Sequence, residues 1–237
     1  MFTFDGFTRL IFKMAGVYIP LWKKWWSYIS EVELETASSE YNESLMVSLS
    51  QGRLQLSTKE AIYSYADKYD NFRECFQKMT LPKHAELLLL GFGLGSIPFM
   101  LEKKFGKKYN YTGVEIDETV IYLASKYVLS NLNSDIQLIH ADAYSFVHVD
   151  QNQYDIIAMD IFISEKIPLE FESMEFLQDL SNKLLPNGIM LFNRLAKTKE
   201  ELEKTQQYFQ EIFLKIFPNA DFVEVKGNHV LTNRKIE

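Results

Sequence analysis

From residue 86 onward, short apolar runs alternate with longer stretches whose apolar positions recur at helical intervals. ELLLL at 86–90 is a continuous apolar run that leads directly into Gly91-Phe92-Gly93-Leu94-Gly95. Residues 97–105 then carry helical spacing. YNYTGVEI at 109–116 predicts a second strand and 118–129 a second helix. A third strand is expected at 136–139, with a short helix from Ala143. YDIIAMDI at 154–161 predicts a fourth strand, and 170–185 a helix. Pro186-Asn187-Gly188 reads as a turn, IMLF at 189–192 as a fifth strand, and 198–217 as a long helix. The chain then closes with strand-like runs at 222–225 and 229–231, separated by the hairpin chemistry of Lys226-Gly227-Asn228.

The preceding part has a different texture. LMVSL at 45–49 and RLQL at 53–56 flank Gln51-Gly52, which predicts a β-hairpin. Residues 62–79 place aromatic and apolar side chains at helix-like intervals, and Pro82 ends them. The expected organisation is an N-terminal helical and hairpin region over 1–81 and an α/β domain over 82–237. Alternating strands and helices imply a mostly parallel sheet covered on both faces. A terminal antiparallel hairpin after the fifth strand is the ending of the Rossmann-like class I methyltransferase fold. A dinucleotide-binding fold would instead continue with another crossover.

The apolar stretch at 7–19 is interrupted by Arg9 and Lys13 and is too short to span a bilayer. PLWKKWWSYIS follows, which fits no signal peptide. A helix packed on the domain or on a second subunit is the expectation for Trp22 to Trp26, and a cytoplasmic location the default. Net charge is −7, with 32 acidic against 25 basic residues. That argues against a nucleic-acid binder and leaves room for a cationic substrate. One cysteine, Cys75, rules out a disulfide within the chain. The histidines show no metal-ligand spacing, so no protein-bound metal is expected.

The chemistry gathers at strand ends. The glycines of 91–95 allow backbone to approach a ligand, and the helix after them offers unpaired N–H groups. Glu115 ends the second strand, where a carboxylate can accept both ribose hydroxyls. Asp142, after the third strand, can accept a hydrogen bond from an adenine amino group or cap the next helix. Asp160 ends the fourth strand, where it can hold an amine and accept its proton, or cap a turn.

In order and spacing, LLLLGFGLGS, GVEIDETVIYLASKYV, IHADAYSFV and YDIIAMDIF resemble the core of the spermidine synthase family. The hairpin followed by LQLSTKEAIYSYADKYDNF is similar to that family's small β domain and its junction. The resemblance implies that Gly91, Phe92, Gly93, Gly95, Glu115, Ile116, Asp142 and Ala143 bind the adenosyl group of S-adenosylmethionine or its decarboxylated form. It implies that Asp160 matches the catalytic Asp. It also carries departures. The family's Asp within the glycine loop is replaced by Leu94. Its Ser and second Asp after the catalytic Asp are replaced in Asp160-Ile161-Phe162-Ile163-Ser164. Its Gln after the hairpin has no counterpart in 57–61. Three polyamine contacts are therefore absent, and the main expectation is methyl transfer from S-adenosylmethionine to a small amine or hydrophobic acceptor. Aminopropyl transfer is the alternative among enzymes, and a non-catalytic nucleoside-binding or protein-interaction domain the alternative outside them. The exposed-looking tryptophans and the hairpin suggest a homodimer.

Overall fold

The computed structural model describes residues 2–4, 7–10, 16–58, 62–64, 66, 69–162 and 166–236; of 2–4, 7–10, 62 and 63 the backbone alone is described. Strands β1 (Phe2–Phe4) and β2 (Phe7–Leu10) come first, then helix α1 (Leu21–Trp26). Next come β3 (Val32–Ala37), β4 (Leu45–Ser50), β5 (Arg53–Ser57), β6 (Ile62–Ser64) and α2 (Asp70–Gln77). The α/β part runs β7 (Glu86–Leu90), α3 (Ser96–Lys103), β8 (Asn110–Glu115), α4 (Glu118–Tyr127), β9 (Asp135–His140) and α5 (Ala143–Val149). It continues with β10 (Tyr154–Met159), α6 (Met174–Asn182), β11 (Leu184–Leu195) and α7 (Lys199–Tyr208). A π-turn over Phe209–Phe213, α8 (Leu214–Ile216), β12 (Asp221–Val225) and β13 (Asn228–Thr232) end it.

The large sheet has the order β1-β2-β9-β8-β7-β10-β11-β13-β12. Strands β9, β8, β7, β10 and β11 are parallel, β13 runs antiparallel to them, and β12, antiparallel to β13, runs with them again. This is the order expected of the class I methyltransferase fold, extended at the β9 edge by the β1–β2 hairpin. The pleat sorts the central strands onto two faces. Leu87, Leu89, Ile156 and Ala158 join the core under α2, α3 and α4. Leu88, Leu90, Ile157 and Met159 join the core under α5, α6 and the π-turn. All eight are fully buried, each buried Leu contributing about 1.5–3 kcal/mol. A continuous apolar run is what a strand covered on both faces requires.

The expected hairpin at 45–56 is present as β4–β5, in a second sheet of order β3-β4-β5-β6. Leu45, Val47 and Leu56 of this sheet share one core with Phe72 and Phe76 of α2 and with Leu87 and Leu89 of β7.

Two expectations need correction. The helix at 62–79 is a strand over 62–64 and a shorter helix from Asp70, because β6 pairs with β5. The turn at 186–188 is a bulge inside β11: Leu184 pairs with Tyr154 and Ile189 with Ile156, so the intervening residues loop out without ending the strand. Strand β2, inside the stretch 7–19, extends the sheet by pairing with β9. Helix α1 exists, but it buries none of its residues against this chain, since no described element covers its apolar side.

Candidate functional site

Strand order reverses between β7 and β10, the switch point where open α/β sheets bind ligands. Beyond the paired strands, Asp160 N–H donates to the Leu90 carbonyl at 2.8 Å and Gly91 N–H to Val114 at 3.0 Å. Ala141 N–H donates to Glu115 at 3.1 Å. These bonds align Gly91, Glu115, Ala141 and Asp160 along one edge of the sheet. A cavity of about 880 Å³ opens over that edge.

The glycine loop is shaped by close approach. Gly91 has φ of 82°, and a Cβ there would stand 2.4 Å from the Asp160 carbonyl oxygen. Gly95 has φ of 79° and caps α3 in the left-handed conformation without a side-chain cap bond. Between them, Gly93 N–H donates to Glu115 Oε2 at 2.9 Å. Glu115 Oε1 accepts from Ile116 N–H at 3.1 Å and Asp117 N–H at 3.2 Å. Burial raises the Glu115 pKa, and these backbone donors only partly offset it.

Asp142 caps α5: its Oδ1 accepts from the Ser145 N–H at 2.8 Å and the Ser145 hydroxyl at 2.7 Å. The residue lines the cavity as well, so capping and facing the cleft coexist. Asp117 is buried and caps α4, and its other oxygen accepts from Ser39 and from Asn42 Nδ2. That clasp holds the loop between β3 and β4 against the cleft, where Tyr41 and Asn42 form part of the wall.

Asp160 is the central feature. Its Oδ1 accepts from the Tyr69 hydroxyl at 3.1 Å and from Asn193 Nδ2 at 2.9 Å. Burial raises its pKa to about 6, with the bonds from Asn193 and Tyr69 pulling the other way. Burial, and then the neighbouring carboxylate, hold the Tyr69 phenol well above its usual range, so it remains a donor. Asn193 lines the cavity but is buried, and its Oδ1, closed off from solvent, has no hydrogen-bond partner among the described residues. An amine entering there would meet an ionisable carboxylate.

Of the residues singled out in the sequence, Gly91, Phe92, Gly93, Glu115, Ile116, Asp142, Ala143 and Asp160 all line the cavity. Gly95 does not border it and serves the turn into α3. Leu94 also lies off the wall, buried in the core beneath α3. Ile161 and Phe162 do line the cavity; Ile163, Ser164 and residues 59–61 lie outside the described residues. Sequence reasoning missed Tyr69 and Asn193. Tyr69 looked like one aromatic in a helical stripe, and Asn193 lies just past the apolar run that marked the fifth strand. Among the described residues no group of His, Cys, Asp and Glu is arranged to hold a metal.

Residues 76–225 match the spermine/spermidine synthase domain. The chain belongs to the spermine/spermidine synthase family. The family is one of transferases, and within it the probable polyamine aminopropyl transferase of Bifidobacterium longum (strain NCC 2705) is 33% identical over 106 residues. That match covers 45% of this chain and 23% of the relative. The polyamine aminopropyltransferase of Vibrio vulnificus (strain CMCP6) is 26% identical over 153 residues, covering 63% of this chain and 50% of the relative. The chain thus spans at most half the length of either curated relative. A spermidine synthase solved in complex with the transition state analogue AdoDATO has a TM-score of 0.60 at 15% identity. The match covers 85% of this chain and 71% of that one, and the likeness is one of fold.

Proposed function

We propose that this member of the family is an aminopropyltransferase that joins the aminopropyl group of decarboxylated S-adenosylmethionine to an amine acceptor. The observation that carries the reading is the half-buried Asp160 carboxylate, held by Tyr69 and Asn193 beside the glycine loop. The names of the curated relatives favour this reading over the methyl transfer expected from the sequence.

The cleft fits an adenosyl donor. Carboxylates stand at successive strand ends, Glu115 toward a ribose and Asp142 toward an adenine edge, with Ile116 and Ala143 beside them. When bound, a sulfonium donor supplies the electrophilic carbon and leaves as a neutral thioether. The work of the chain is to align, desolvate and deprotonate. Asp160 orients the acceptor nitrogen and takes its proton as the C–N bond forms and the C–S bond breaks. Tyr69 and Asn193 hold the carboxylate, and Ile161 and Phe162 exclude water. Residues 1–81 act as one wall of this site, through Tyr41, Asn42, Ser64 and Tyr69, and 82–237 as its donor-binding half.

A second reading, methyl transfer from the carboxylated donor, has one observation in its favour. Lys197 and Lys226, neither in an ion pair among the described residues, line the same cavity and would suit a carboxylate better than an amine. Calorimetric titration with both donors decides between them. Tighter binding of the decarboxylated donor, with product formed from a diamine, is expected. Preference for S-adenosylmethionine, with no aminopropyl product, would overturn the proposal.

A further inference from the structure

Eight of the thirteen large apolar side chains exposed among the described residues fall within residues 17–29. They include every tryptophan of the chain: Trp22 is 64% exposed, Trp25 75% and Trp26 56%. Tyr18, at 81%, and Ile29, at 79%, extend the patch on either side of α1. A concentration of this kind marks an interaction surface, whereas scattered apolar residues need no explanation.

The segment is not a loose end. Ser27 is buried, and its carbonyl and hydroxyl accept from Gln51 N–H and Gly52 N–H, each at 2.8 Å, at the β4–β5 turn. Tyr28 packs so closely over Gly52 that a Cβ there would lie 2.7 Å from its hydroxyl. At the other end, Val17 N–H donates to the Lys126 carbonyl, and Gly16 sits tight against Ser130. The polypeptide is fastened on both sides while its aromatic side chains stand in solvent.

Its chemistry narrows the partner. At 3.6 residues per turn, Leu21, Trp22, Trp25 and Trp26 fall within an arc of about 140°, with Lys23 and Lys24 flanking it on either side. Residues 16–30 contain these two lysines and no acidic residue, in a chain whose net charge is −7. Neither lysine forms an ion pair among the described residues; Lys23 Nζ lies over the Trp22 ring at 5.8 Å. Trp and Tyr are side chains that settle at the level of lipid headgroups, and flanking lysines match anionic phosphates. A two-fold contact with a second copy would bring the same cationic rim against itself. No described helix is long and apolar enough to cross a bilayer, so the contact is with its surface.

We propose that residues 17–29 form a rigid platform that docks this protein on an anionic lipid surface, with Trp22, Trp25 and Trp26 inserted at headgroup depth. Flotation of the full chain with vesicles of phosphatidylcholine alone, or with 30 mol% phosphatidylglycerol added, tests it. Because all tryptophans lie in the patch, intrinsic emission reports it directly. Expected are flotation with the mixed vesicles at least about tenfold stronger than with neutral ones, and a blue shift on their addition. Lys23→Glu/Lys24→Glu should remove most of the preference for anionic lipid, by about 30-fold. Trp22→Ala/Trp25→Ala/Trp26→Ala should not float, while circular dichroism shows it folded. Absent flotation of the wild type, or unchanged flotation of either variant, would overturn the proposal. So would a lipid-free protein that sediments as a dimer with its emission already blue-shifted, which would assign the patch to a second copy.

Discussion

The Tyr69 hydroxyl donates to Asp160 Oδ1 at 3.1 Å across 91 positions of sequence, joining the junction before α2 to the carboxyl end of β10. Asn193 completes the arrangement from the neighbouring strand β11. The two donors favour the charged form of a half-buried carboxylate and work against the burial that raises its pKa.

The first prediction concerns that carboxylate. With a pKa of about 6, Asp160 is an effective base only above that value, so kcat/KM should rise with pH through a limb near 6. Tyr69→Phe removes a bond that favours the charged form, so the limb should move upward. Asp160→Asn should cut turnover by about 10²–10⁴-fold while calorimetry still shows donor binding. A pH profile unchanged by Tyr69→Phe would remove that contact from the mechanism. Undiminished turnover in Asp160→Asn would remove the base.

Glu115→Ala should weaken binding of the adenosyl donor by about 1.5–3 kcal/mol, the range for hydrogen bonds to a charged group. Glu115 also holds the Gly93 N–H, so a thermal melt of the empty protein must accompany the titration. Unchanged affinity in a folded variant would exclude the ribose role.

Leu94→Asp restores the residue type of the family pattern, yet the structure predicts no gain of amine binding. Leu94 is buried in the core and lies off the cavity wall, so a carboxylate there is an unpaired buried charge. The variant should lose several kcal/mol of stability, read as a lowered urea midpoint. A stable variant with tighter diamine binding would contradict this placement of the side chain.

Much of this protein could be read from its residues in order. ELLLL followed by the glycine loop predicts a buried strand and a ligand-binding turn, because a run apolar on both faces has only one stable setting in an α/β sheet. Gly91 and Asp160 each follow such a run, Glu115 ends a strand read from its β-forming residues, and strand-end position is a local property. The terminal hairpin was legible for the same reason. Tertiary structure alone decided the rest. Tyr69 and Asn193 become partners of Asp160 only when β11 is laid beside β10 and the chain before α2 returns over the cleft. Leu94 faces the core and not the cavity because the left-handed turns of the loop set its direction. The stretch 62–79 divides into strand and helix because 62–64 pair with the edge of β5, a demand no helical periodicity records. The tryptophans at 22–26 stay exposed because no described element covers them, and exposure belongs to the whole fold, whereas apolar spacing belongs to the segment.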